Sequence, residues 1–280
     1  MGRIRNTAET VGLMLAIGKA KARLPLGPHL LQSALAGAYI GFGAVLALKV
    51  TGNLDPSLGN LTKLLFGLVF PIGLLMVLIA GASLFTGDVM YLSCSWAERD
   101  ATGATWLRFL SVSFLGNFLG SVLLAWLACR SGALLDPGPG GTLPLAEAAV
   151  RLANAKTGLP FGVAFVRGVL CNWLVCLAIY MSLTADSGIS KAVLMWPPIT
   201  AFVALGMEHS VANMCFVPLG IFLGNYPEFS GGAVGPTATW GAFLARNLVP
   251  VTLGNIVGGA LFVGLPYLWL CKGKKEEGKD

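Results

Sequence analysis

Charge is scarce in this chain. Asp, Glu, Lys and Arg make up 11% of its 280 residues, where a soluble domain carries about a quarter. Histidine is scarcer still, with only His29 and His209. The two lie far apart in sequence and offer no axial ligand pair for a buried haem. No H-E-x-x-H, P-loop or Ser–His–Asp signature occurs, which removes zinc hydrolysis, ATP-driven pumping and triad chemistry from consideration. The six cysteines lie mostly in or beside apolar runs, and Cys171 and Cys176 are five apart with no histidine nearby. They read as small packing residues rather than a metal centre. The expectation is a protein that is not an enzyme, with no catalytic residue, no cofactor and no metal.

What fills the chain instead is apolar: 55% of residues, gathered into runs near twenty long, the signature of an integral membrane protein. Six spans can be read, roughly His29–Val50, Leu64–Ala82, Leu107–Cys129, Leu159–Leu183, Ala192–Gly224 and Asn247–Cys271. The fifth is too long for one straight helix and holds Pro197, Pro198, Gly206, Pro218 and Gly220. The second runs on into "GASLFTGDVMYLSC", turn-like in its middle. Both read as broken helices. The chain divides into an N-terminal amphipathic segment (1–24), a six-helix domain (25–271) and a charged tail (272–280). The apolar run Val11–Gly18 is too short for a convincing signal peptide, and Asn6 fails the myristoylation pattern.

Orientation follows from the basic residues. With the N-terminus cytoplasmic, twelve of the nineteen Lys and Arg fall inside, which favours both termini inside a cytoplasmic membrane. The net charge of +6 thus reports orientation and implies no nucleic acid; the partner is the lipid bilayer.

The chain also repeats itself. "LGNFLGSVLL" (115–124) and "LGNIVGGALF" (253–262) share Leu, Gly, Asn, Gly and Leu at one spacing. Two three-helix units follow, the second inverted because each crosses an odd number of times. The glycines four apart let helix backbones approach closely. Irregular backbone cannot face lipid, so breaks near Ser83–Asp88 and Gly206–Asn213 are expected to meet at mid-membrane and line a pathway, with half-helix N-termini suited to an anion.

Four stretches, "AGASLFTGD", "LCNWLVCLA", "GMEHSVANM" and "PVTLGNIVGG", together resemble the formate–nitrite transporter family from about Leu24 to Leu270. The resemblance implies an all-α, aquaporin-like six-helix protomer with helices 2 and 5 broken, assembled as a homopentamer with one pore per protomer. It implies passage of small monovalent anions or their conjugate acids: formate, nitrite, hydrosulfide, lactate. By the same resemblance His209 matches the central pore histidine and Thr86 the threonine of the span-two loop, able to hydrogen-bond toward it. Lys156 resembles the vestibule lysine, and Asn172 and Asn213 the pore-side polar residues. Phe70, Leu74, Leu84, Phe85, Val175 and Phe202 fall where the family builds two apolar constrictions. Asp88 receives no role. "AGAYIG", "LFTGDVMYL", "GVLCNWLVCLAIYM" and Arg167 resemble the nitrite-channel branch most, whereas "LVPVTLGNIVGGALFVGL" resembles the formate branch as much.

The residue types are chemically consistent with that reading. A bare anion in a dry constriction faces a cost of tens of kcal/mol. Protonating a weak acid of pKa about 3.5 costs only about 5 kcal/mol at neutral pH. His209 is a natural proton partner, although desolvation favours its neutral form as a hydrogen-bond donor, and protons then come from bulk water. Lys156 would draw anions in electrostatically. Glu208 is expected to brace the broken helix through backbone N–H groups, and Asn117 and Asn255 to bridge helices or cap freed backbone groups. Blander readings stay open: His209 as a packing partner, Lys156 as a solvated loop charge, the Phe and Leu positions as ordinary packing. A neutral-solute channel of aquaporin type is the nearest rival, without the twin Asn-Pro-Ala signatures.

Overall fold

A computed structural model describes residues 3–138, 141–227, 229 and 234–276. Among the described residues it is built of helices, with one isolated bridge between Ile4 and Ala185 and no strand. The chain opens with α1 (Thr7–Ala22), whose N-terminus is closed by a capping box: Asn6 accepts from Glu9 N, and Glu9 reaches back to Asn6 N. That arrangement satisfies two otherwise orphaned donors. Thr10, Met14, Gly18 and Ala22 are buried at four-residue spacing, seating α1 as a strap. A Cβ at Gly18 would lie 2.6 Å from Tyr91 O.

The long helices follow: α2 (Leu26–Thr51), α3 (Asn60–Val69), α4 (Ile72–Ala80), α5 (Phe85–Ala97), α6 (Gly103–Arg130), α7 (Pro144–Thr157), α8 (Phe161–Leu183), α9 (Gly188–Ala204) and α10 (Ser210–Gly224). From Trp240 the chain forms α11 (Trp240–Ala242), α12 (Val249–Gly259) and α13 (Leu265–Glu276), joined by π-helical turns at Phe243–Leu248 and Ala260–Gly264. Five stretches are long and apolar enough to cross a membrane: Leu26–Thr51, Asn60–Ala80, Gly103–Arg130, Phe161–Leu183 and Trp240–Lys272. The fifth span read from sequence is divided into the shorter apolar helices α9 and α10. The tail read at 272–280 continues α13 to Glu276, and residues 277–280 lie outside the described ones.

Two helix pairs form the frame, and glycine decides how close each comes. A Cβ at Gly120 would sit 1.8 Å from Ala34 O, so α6 lies directly on α2. A Cβ at Gly258 would sit 2.2 Å from Val169 O, so α12 lies on α8 in the same way. The small-residue pattern at four-residue spacing thus becomes backbone-to-backbone packing. The frame holds two interruptions. The chain leaves α4 at Gly81 (φ 74°) and re-enters helix at Phe85; it leaves α9 after Ala204, turns at Gly206 (φ 70°) and re-enters at Ser210. Left-handed backbone of this kind is cheap only for glycine.

α7 was not anticipated from sequence. Pro144 starts it, and Leu145, Ala149, Ala153 and Lys156 are buried along one face.

Candidate functional site

Each interruption leaves backbone groups to be satisfied inside an apolar interior, where an unpaired one costs several kcal/mol. Asparagine meets that demand twice. Asn117 accepts from Phe85 N at 2.8 Å and donates to Ser33 O and Ser83 O. Asn255 accepts from Ser210 N at 2.9 Å and donates to Gly168 O and Glu208 O. The first residue of α5 and that of α10 are thus held by the same device. The matching continues in the backbone, where Ser83 N donates to Gln32 O and Glu208 N to Arg167 O.

The N-terminal turns so fixed meet each other. His209 caps α10: its Nδ1 accepts from Ala212 N at 3.0 Å. Its Nε2 lies 3.0 Å from Oγ1 of Thr86, the second residue of α5. Because Nδ1 faces a backbone donor, it must offer its lone pair, and the neutral ring carries its proton on Nε2. Nε2–H therefore donates to Thr86 Oγ1, and the threonine hydroxyl keeps its own proton to donate. Two helix N-termini, each with partial positive charge, bracket this contact. Phe202 lies against the imidazole, ring centroids 5.8 Å apart at 23°.

His209 also lines a cavity of about 330 Å³ on the side of the molecule that carries α7. Phe70, Phe202 and Phe216 form apolar parts of the wall, with Lys156, Arg167, Glu208 and Asn213 among its polar lining. Phe70 meets Phe202 edge-on at 5.9 Å. Leu74, Leu84, Phe85 and Val175 are each buried to within 3% and stand outside this wall. Of the apolar positions read from sequence, only Phe70 and Phe202 therefore face the cavity.

Three readings of the polar residues need revision. Lys156 is no solvated loop charge: it lies in the last turn of α7, buried, with Nζ 2.9 Å from Glu208 Oε1 and 5.7 Å from the centroid of the Phe216 ring. Glu208 braces through side chains, not backbone N–H groups. Its Oε1 takes Lys156, and its Oε2 takes the amides of Asn213 at 2.7 Å and Asn247 at 3.1 Å. An ionised carboxylate in such surroundings needs this many donors. Asn172 spends its amide on Thr86 O and Asn255 O and does not face the cavity.

Two groups of residues were missed. Asn247, in the π-helical turn, ties Lys156 O, Glu208 and Asn213 together. On the opposite side, Lys21 pairs with Asp88 at 2.8 Å and donates to Ser83 Oγ. Asp88 also accepts from Ser83 and Ser113, and Ser113 Oγ lies 2.9 Å from His29 Nε2. Asp88 thus neutralises Lys21 much as Glu208 neutralises Lys156. Only the unexpected charge of Asp88 within an apolar stretch hinted at this. Among the described residues no three His, Cys, Asp or Glu side chains are grouped to hold a metal.

The sequence profile of the formate/nitrite transporter family matches residues 8–269. A relative from Methanothermobacter thermautotrophicus, named probable formate transporter, is 42% identical over 274 residues, covering 94% of this chain and 96% of its own. The nitrite transporter NirC of Escherichia coli K12 is 40% identical over 252 residues, covering 90% and 86%. Among solved structures, a pentameric formate channel with formate bound superimposes with TM-score 0.75 at 33% identity, covering 88% of this chain and 96% of that one.

Proposed function

Because the chain belongs to the formate/nitrite transporter family, a family of transporters and channels and not of enzymes, we propose that it carries nitrite, as the anion or its conjugate acid, past His209 through a pore within each protomer. One observation carries this reading: the Thr86–His209 contact lies where two helix N-termini meet, beside a cavity that His209 itself lines. The paired N-termini attract an anion. The apolar walls favour a neutral one, since protonating a weak acid costs far less than dehydrating a bare anion. In this account His209 is a fixed donor that orients the Thr86 hydroxyl toward substrate oxygen, and bulk water supplies the proton.

The remaining architecture is part of the same proposal. Six spans form two inverted halves, with α3, α4 and α5 the broken second span and α9 and α10 the broken fifth. The matched bonds of Asn117 and Asn255, and of Ser83 and Glu208, support that pairing. Residues 25–271 are the channel domain, with residues 1–24 and the tail cytoplasmic and the protein in the inner membrane. The pentameric state of a similar formate channel supports a homopentamer here.

Formate is the second reading, favoured by the 42% identical relative named as a probable formate transporter. Liposomes containing the protein decide between the two. Nitrite should enter faster than formate, and His209→Ala should abolish both fluxes. Flux unaffected by His209→Ala would remove the role proposed for the ring.

A further inference from the structure

Charge in the cavity beside His209 does not balance. Its lining carries three cations, Lys63, Lys156 and Arg167, and one carboxylate, Glu208. Glu208 is taken by Lys156, which it meets at 2.9 Å. Among the described residues, Lys63 reaches the neutral Asn60 side chain at 3.2 Å, and the Arg167 guanidinium meets no acceptor. The lysine that resembles the vestibule cation of the family is thus already neutralised. The free positive charge of the cavity lies at Lys63 and Arg167.

Arg167 is also an anomaly in its helix. α8 is long and apolar enough to cross a membrane, and Arg167 is its only formally charged residue. Its neighbours Val163, Val166 and Leu170 are apolar and exposed. A guanidinium on such a face must reach water or a counter-ion. Arg167 is itself exposed, and its backbone carbonyl is taken by Glu208 N. The surface it gives to the cavity is therefore side chain. The bond to Glu208 N also fixes where the arginine stands, beside the residue that precedes His209. Lys156, by contrast, is buried.

We propose that Arg167, backed by Lys63, is where the cavity receives its anion from water, and that the guanidinium selects anions presenting two oxygens in one plane. Nitrite and formate both do, and the planar fork of a guanidinium meets two such oxygens at once. Chloride and hydrosulfide offer a single centre and leave half of the fork unfilled. Lys63 is a point charge that draws every anion alike. The selection step rests on the passage proposed above and precedes it. Because Arg167 is exposed to water, its hold on the anion is weak. Weak binding lets the substrate move on to His209 and cross as a neutral acid.

The test is nitrite and formate uptake into proteoliposomes at one pH and one ionic strength, with half-saturation and maximal flux measured and chloride added as competitor. Arg167→Ala should raise half-saturation for both substrates about fivefold, the effect of one exposed ion pair, with maximal flux little changed. Arg167→Lys keeps the charge without the fork. In that variant chloride should inhibit as strongly as in the unaltered protein, while half-saturation for nitrite and formate stays raised about twofold. Lys63→Gln should weaken nitrite, formate and chloride by one common factor. Arg167→Lys also stands in should the alanine variant fail to fold. Half-saturation unmoved in Arg167→Ala, a loss of maximal flux alone, or an Arg167→Lys variant equal to the unaltered protein overturns the proposal. Absence of nitrite and formate flux in the unaltered protein would instead overturn the transport reading itself.

Discussion

At the residue scale, the balance of the site rests on how buried charges are neutralised. Lys156 and Glu208 are a buried pair supported by two amides, and removing one member strands the other. Glu208→Leu or Lys156→Met alone is expected to lower stability by about 3 kcal/mol, and the double substitution by much less. Thermal unfolding of the four proteins in detergent measures this as a double-mutant cycle; strictly additive losses would show that the pair does not couple. These residues were unequally legible in the sequence. Glu208 and His209 announce themselves as ionisable groups in an apolar stretch, a signal of function by default. Asn247 looks like an ordinary polar residue at the start of a span, and its partner Lys156 O lies 91 positions away. No local pattern carries that contact.

At the scale of elements, the two interruptions do most of the positioning. Gly206→Ala meets open space but forces an alanine to φ 70°, so its loss should be modest, about 1 kcal/mol. Gly258→Ala has no backbone penalty but drives a methyl to 2.2 Å from Val169 O, and α12 must part from α8. Its loss should be larger, about 3 kcal/mol. Gly162→Ala, with nothing within 4 Å, is the control and should not destabilise. Denaturation midpoints of the three variants rank them; equal effects would contradict the close-packing account. The long helices were readable because twenty apolar residues have one economical arrangement in lipid. The turns at Gly81 and Gly206 fall where glycine and polar residues interrupt such a run. α7 was not, because its fourteen residues carry no long apolar stretch. The capping asparagines could be seen as a repeat but not as caps, since what they cap belongs to other helices.

At the scale of the whole molecule, the proposed homopentamer is checked by the mass of the detergent-solubilised particle after subtraction of bound detergent. Five copies are expected, and a monomer of full transport activity would contradict the assembly. In the proposed route, helix N-termini draw the anion toward the waist beside Thr86 and His209, and the substrate crosses there as its neutral acid, spared the cost of a bare charge. The fraction of a weak acid that is protonated rises about tenfold for each unit of pH lowered below neutrality. Flux at fixed total substrate must then rise as pH falls. Currents and fluxes through planar bilayers, recorded for nitrite, formate and chloride from pH 8 to pH 5, test this most directly. Nitrite and formate transport is expected to climb steeply on acidification, with little chloride current at any pH. Anion currents indifferent to pH, with chloride passing as readily as nitrite, would contradict it.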